Sequence, residues 1–236
     1  MSDLKATLER LYALALHGRK LGLERVQAAC DKLGNPERSF QAVHVAGTNG
    51  KGTVTAFVGS MARAAGQRVG VYTSPHLCRF AERINIGGAP LEDDKLVVYL
   101  NQVMDIGPDL TFFEVATVAA FLAFRDAQVE LAVIEVGLGG RLDATNVIPP
   151  PRVAAITRVS YDHVAELGDS LSKIAFEKAG IIKQGSAVVL GKLHPDAREQ
   201  AAKRMAEVGA REVPLGSPAP VPGAPLAYPR VALVGS

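Results

Sequence analysis

Apolar positions recur at helical spacing at the start of the chain, with Leu4, Leu8, Leu11 and Leu14 on one face, which predicts a helix over residues 3–16. A second helix is expected over 23–33, closed by Gly34, Asn35 and Pro36. The period then changes. Residues 41–45 are short, apolar and β-rich, 54–65 return to a helical pattern, and 67–73 read as a further strand, so 41–73 is predicted as a βαβ unit with a parallel strand pair. Ser74 and Pro75 break regular structure, a short strand is expected at 83–86, and helices at 91–104 and from Thr111 to Phe124, with Phe113, Ala116, Thr117 and Ala120 sharing a face. A buried strand at 130–136, an irregular stretch at 137–151, strands at 152–157 and 187–190, and helices at 170–179 and 195–208 complete the pattern. Alternating strands and helices predict an α/β fold, three α/β/α layers on a mostly parallel sheet.

The pattern fades after residue 209. Prolines stand at 214, 218, 220, 222, 225 and 229, so 210–236 reads as a Pro-rich tail or linker with one short strand at 231–234. Residues 1–209, with helices in 1–36, form the expected body.

Composition narrows the class. The chain has 236 residues, 48% of them hydrophobic, enough for a sizeable core. Its net charge of +2 shows no basic bias toward nucleic acid. The two cysteines, Cys30 and Cys78, form no metal or disulfide framework and fit a reducing cytoplasm. The apolar runs are too short or interrupted to span a bilayer, and the charged N-terminus lacks a signal-peptide pattern.

The chemistry begins at Gly47-Thr48-Asn49-Gly50-Lys51-Gly52-Thr53, between a strand and a helix. Glycines let backbone N–H groups crowd around phosphate oxygens, a helix N-terminus adds partial positive charge, Lys51 can reach the β- and γ-phosphates, and the Thr53 hydroxyl can hold Mg²⁺. The string departs from GxxxxGK[ST] in having Gly52 between the lysine and the threonine. Further candidates also fall at the carboxyl ends of strands, where open parallel sheets bind ligands: Ser74, Glu135 with the glycine-rich stretch behind it, and His163. Glu135 suits a Mg²⁺ ligand. A lone histidine is more often structural, and His163 gains interest from its place on the same sheet edge. Lys178, within a helical Glu-Lys pair, looks like part of a solvated face.

HVAGTNGKGT (44–53), TSPHL (73–77), ERI (82–84), FFE (112–114), EVGLGGRLDATN (135–146), DH (162–163) and LGDSLSKIAFEKAGIIK (167–183), with the early GLERV and LGNP, together resemble the folylpolyglutamate synthase/dihydrofolate synthase family of the Mur ligase superfamily. The resemblance covers residues 20–205. It implies a P-loop NTPase-like central domain and an ATP-dependent ligase that joins L-glutamate to dihydropteroate or a folate through an acyl phosphate. By resemblance, residues 47–53 hold ATP; Thr53, Ser74 and Glu135 bind one Mg²⁺; and His163 binds a second. Lys178 is a lysine the family carbamylates, beside the metal, so that Lys51, His163 and Lys178 are the catalytic set. The folate- or pterin-contacting residues implied are Ser74, Pro75, His76, Arg83, Asp143, Ala144 and Asn146. The family's second, smaller domain has no counterpart after residue 209, so a truncated nucleotide- or pterin-binding module is the alternative. A cytoplasmic monomer acting on small molecules, with no nucleic-acid or membrane partner, is expected.

Overall fold

The structure, a computed structural model, describes residues 2–17 and 22–216; the strand expected at 231–234 lies outside them. Its frame is one sheet of eight strands: β1 (Gln41–Ala46), β2 (Val69–Tyr72), β3 (Ile84–Ile86), β4 (Ala89–Pro90), β5 (Leu131–Glu135), β6 (Val153–Ile156), β7 (Ala187–Leu190) and β8 (Arg211–Glu212). Across the sheet the order is β4-β3-β2-β5-β1-β6-β7-β8. The six strands from β2 to β8 are parallel, and β3 and β4 add an antiparallel edge.

The expected parallel pair over 41–73 is corrected by this order: β1 and β2 do not touch, because β5 lies between them and bonds to both. The sequence contains the reason. All five residues of β5, Leu-Ala-Val-Ile-Glu, are buried, as a strand covered on both faces must be, but apolar periodicity does not report strand order. The registers Val45↔Glu135, Tyr72↔Ile134 and Ala46↔Ile156 bring the carboxyl ends of β1, β2, β5 and β6 to one edge.

Eight helices cover the sheet: α1 (Ser2–Ala13), α2 (Glu24–Lys32), α3 (Lys51–Ala64), α4 (Asp93–Ile106), α5 (Phe112–Asp126), α6 (Val164–Leu167), α7 (Leu171–Ala179) and α8 (Pro195–Val208). On one face Val54 and Val58 of α3 pack on Val43, Val45 and Val133. On the other, Ile174 of α7 and Ala201 of α8 meet Ile156, Val188 and Leu190, while α5 lies over Ala132 and Ile134. Val115 to Phe124 of α5 are all buried, because Leu11 of α1, Val26 of α2 and Leu100 of α4 cover its outer side and add a partial fourth layer. The entry of α5 is fixed by a capping box: Glu114 Oε2 accepts from Thr111 N at 2.7 Å, and Glu114 N donates to Thr111 Oγ1 at 3.4 Å.

Two boundaries differ from expectation. Helix α3 starts at Lys51 rather than Val54, because Gly50 takes a left-handed turn (φ 82°) and puts Lys51, Gly52 and Thr53 into the first helical turn. At the other end, β8 pairs in parallel with β7, and Val213 N donates to Val188 O at 2.7 Å. The sheet therefore continues past residue 209. Among the described residues, no helix is long and apolar enough to cross a membrane.

Gly70 on β2 marks where α5 meets the sheet most closely: a Cβ there lies 2.6 Å from the Phe124 ring. Gly70→Ala is expected to lower unfolding free energy by about 1–3 kcal/mol through overpacking. A second change, Phe124→Leu, should return part of that loss, and denaturant titration of the single and double variants measures both.

Candidate functional site

At the carboxyl edge of β1, β2 and β5 opens a cavity of about 550 Å³. Lys51 comes to it from the first turn of α3, Ser74 and Arg83 from the segment after β2, Asp143 from the loop after β5, His163 from the segment after β6, and Phe112 and Phe113 from the start of α5.

The Gly-rich loop is anchored from behind. Thr48 N donates to Arg158 O at 2.6 Å, Thr48 Oγ1 to Ser160 O at 3.1 Å, and Thr157 Oγ1 to Asn49 O at 2.7 Å. Gly47 (φ 150°) permits this contact, since a Cβ there lies 2.0 Å from Thr157 Oγ1. The first-turn amides of α3 have no partner within the helix and form, with Lys51, a cationic pole. Lys51 Nζ lies 3.4 Å from Thr48 O. Thr53 is exposed on the first turn and does not line the cavity.

Glu135 ends β5 as a buried carboxylate. Ser74 N donates to its Oε2 at 3.1 Å. Burial raises its pKa, and the Ser74 bond, Lys51 and Arg83 pull it back in that order. A Cβ at residue 52 lies 3.4 Å from Glu135 Oε2, so the first turn of α3 packs directly on the carboxylate. The glutamate, Ser74 and Lys51 thus form one cluster. His163 sits exposed at the rim with a left-handed backbone (φ 47°), its Nε2 3.7 Å from Asp162 Oδ1.

Lys178 does not lie on a solvated face. It is buried, 3% exposed, and Nζ donates to Gly47 O at 3.2 Å. Burial first, then the positive charge of Lys51, lowers its pKa to about 8, against the opposing pull of Asp162 and Asp143. Two lysines therefore hold one loop, Lys51 from the cavity side and Lys178 from beneath.

The wall opposite the lysines is aromatic and polar. The Arg83 guanidinium lies 5.4 Å from the Phe80 centroid and 5.3 Å from that of Phe112, and Arg83 Nε donates to His76 Nδ1 at 2.8 Å. This bond requires an unprotonated Nδ1; burial and then Arg83 lower the His76 pKa. His76 therefore supports Arg83 from outside the cavity lining. Pro75 and Ala144 do line it. Asp143 is buried and accepts from Leu138 N at 2.8 Å and Thr145 N at 3.1 Å. Asn146 does not face the cavity: its Nδ2 donates to Arg141 O at 3.0 Å and Gly180 O at 3.2 Å, so it braces the loop from the rear. Lys183 braces the same loop, with Nζ donating to Asn146 O at 2.7 Å and to Ile148 O.

Sequence reading placed Phe113 on a core face and did not single out Phe112 as a site residue. Both form cavity wall, and a Cβ at Gly137 lies 2.4 Å from the Phe113 ring; two aromatics directly after a capping threonine were the available signal. His44 and Lys183 went unnoticed because their partners are distant in sequence. Among the described residues, no group of three or more His, Cys, Asp or Glu side chains is placed to hold a metal ion.

The chain is 41% identical over 196 residues to the dihydrofolate synthase/folylpolyglutamate synthase of Bacillus subtilis, covering 77% of this chain and 45% of that protein. It is 43% identical over 198 residues to the one of Mycobacterium tuberculosis, covering 75% and 40%. The M. tuberculosis folylpolyglutamate synthase solved with ADP and AMPPCP superposes with a TM-score of 0.82 at 38% identity, over 89% of this chain and 50% of that one. Escherichia coli FolC in complex with DHPP and ADP also gives 0.82, at 37% identity, over 88% and 51%. The chain thus spans about half the length of the relatives it matches. Residues 45–213, from the end of β1 through β8, match the Mur ligase middle domain, and the chain belongs to that family.

Proposed function

We propose that the chain carries the nucleotide- and acceptor-binding centre of an ATP-dependent ligase that joins L-glutamate to the carboxylate of dihydropteroate or a folate through an acyl phosphate. The observation that carries this reading is one cavity lined by Lys51, from the first turn of α3, and by Arg83, Asp143, Phe112 and Phe113. Relatives that share this fold were solved with ADP, AMPPCP and DHPP.

In this reading residues 47–53 cradle the ATP phosphates. Lys51 neutralises the charge of the transferred phosphoryl group, and Lys178 holds the loop in place through Gly47 O. Phosphoryl transfer depends on such positioning and electrostatics. Arg83, braced by His76, and Asp143 orient the acceptor against the aromatic wall so that its carboxylate meets the γ-phosphate. The Ser74 hydroxyl and the Glu135 carboxylate are hard oxygen donors at the loop, and they fit Mg²⁺, which uses one or two carboxylates and completes its shell with phosphate oxygens and water. Bound there, Mg²⁺ supplies Lewis-acid charge neutralisation. His163, at the rim, is the ligand assigned to a second ion. We read the unit as a cytoplasmic monomer, with free thiols at Cys30 and Cys78.

Phosphate release by the purified protein with ATP, Mg²⁺, dihydropteroate and L-glutamate is expected to need both substrates and to fall about 10²–10³-fold in Lys51→Ala. Nucleotide binding without that release assigns the chain only the binding part of the reaction.

The buried Lys178 has a stability signature. Its folded pKa of about 8 lies below the ordinary lysine value of 10.5, so the folded state is penalised while the lysine is charged. The penalty is full below pH 8 and disappears as pH rises toward the unfolded value. Lys178→Met is therefore expected to be more stable than wild type by about 2–3 kcal/mol at pH 7, with the gap closing by pH 10.5 and turnover reduced. Urea titrations across that range measure it.

A further inference from the structure

The strand that feeds the Gly-rich loop carries a polar side chain for which the mechanism above has no use. His44 of β1 is fully buried, and its Nε2 lies 2.8 Å from Thr145 Oγ1, 101 positions away in sequence. Thr145 is also fully buried, and its hydroxyl reaches Asp143 Oδ1. The protons along this line are determined by counting. Asp143 accepts from Leu138 N, Thr145 N and Thr145 Oγ1, as an ionised carboxylate does. A hydroxyl has one hydrogen; since Thr145 gives its hydrogen to Asp143, it accepts from His44. His44 must then carry its proton on Nε2 and leave Nδ1 bare, and Nδ1 is indeed a buried atom without a hydrogen-bond partner. Burial, then the charge of Lys183, lowers the imidazole pKa to about 3, so the ring stays neutral.

We propose that His44 is a positioning residue for the acceptor subsite: by donating to Thr145 it commits the Thr145 hydroxyl to Asp143 and fixes the carboxylate that Asp143 presents to the cavity. This rests on the reading that Asp143 contacts the acceptor. A hydrophobic core position on β1 has no need of such a line. Isolated from solvent, it also links the strand leading to the phosphate loop to the turn Ala144–Val147 that follows Asp143. Without the His44 donor, the Thr145 hydroxyl is free to turn away, and Asp143 loses a charge-assisted bond.

Two measurements on the full chain test this. Nitrogen-15 NMR of histidine-labelled protein, with the His44 signal assigned by its loss in His44→Gln, should show a neutral Nε2–H ring from pH 8 to pH 5. An Nδ1–H ring, or titration near the ordinary histidine value, overturns the hydrogen-bond line whatever the protein catalyses. Pteroate and nucleotide affinities are then compared across variants. His44→Met and Thr145→Val should each weaken pteroate binding about tenfold, the size expected when a buried hydrogen bond is lost, with nucleotide affinity unchanged. The double variant should be no worse than either single. His44→Gln, whose amide donates from near the Nε2 position, should restore most of the affinity. Equal losses for nucleotide and pteroate, or unchanged pteroate binding in His44→Met, overturn the positioning role alone. A wild type that binds nucleotide but no pteroate overturns the acceptor reading, and this role with it.

Discussion

Everything at the functional edge depends on a carboxylate kept in the interior at the end of a central strand. Glu135 closes β5, the strand inserted between β1 and β2, and is only 5% exposed. Burying such a charge costs several kcal/mol unless it is compensated. The compensation is local: one N–H from Ser74, with Lys51 and Arg83 nearby. A hydrogen bond to a charged group contributes about 1.5–3 kcal/mol, and the upward direction of the Glu135 pKa shows that burial still wins. The carboxylate is thus only partly compensated by its neighbours in the protein.

The same balance explains why the lysines sit where they do. Burial and then the charge of Lys51 make a charged Lys178 costly beneath the loop, against the opposing pull of Asp162 and Asp143, while Glu135 faces Lys51. An anion held between the two lysines relieves that repulsion, as anions at helix N-termini do. Gly47 is fixed by this geometry, since it brings the loop backbone against Thr157, and Gly52 packs on the Glu135 carboxylate.

Much of this was legible in the sequence. The strands at β1, β5, β6 and β7, the helix α8 and the convergence of Lys51, Ser74, Glu135 and His163 at one edge follow from periodicity and from the rule that parallel strands present their loops together. What was not legible was non-local. The placement of β5 between β1 and β2 depends on which buried surfaces face each other. The strand at β3 was expected, but its antiparallel pairing was not, and β4 and β8, two residues each, are too short to carry a period. Lys178 reads as a surface residue from its helical Glu-Lys pair, and only packing against Gly47 reveals its burial. Asn146, in the middle of a conspicuous motif, turns out to support the loop rather than line the cavity.

That last case has a general physical reading. The loop after β5 must hold Asp143 at the cavity while its own backbone polar groups are removed from water. Asn146 Nδ2 meets the loop carbonyl Arg141 O and ties the loop to Gly180 O at the end of α7, and Lys183 Nζ meets the loop carbonyls Asn146 O and Ile148 O. The loop carboxylate is met by Leu138 N and the Thr145 amide and hydroxyl. A buried loop of this length cannot be left with open backbone groups, so more polar side chains are needed to brace it than to touch a ligand. Motif residues therefore divide into those that line the cavity, such as Asp143 and Ala144, and those that hold them in place, such as Thr145 and Asn146, and the sequence marks the two kinds alike.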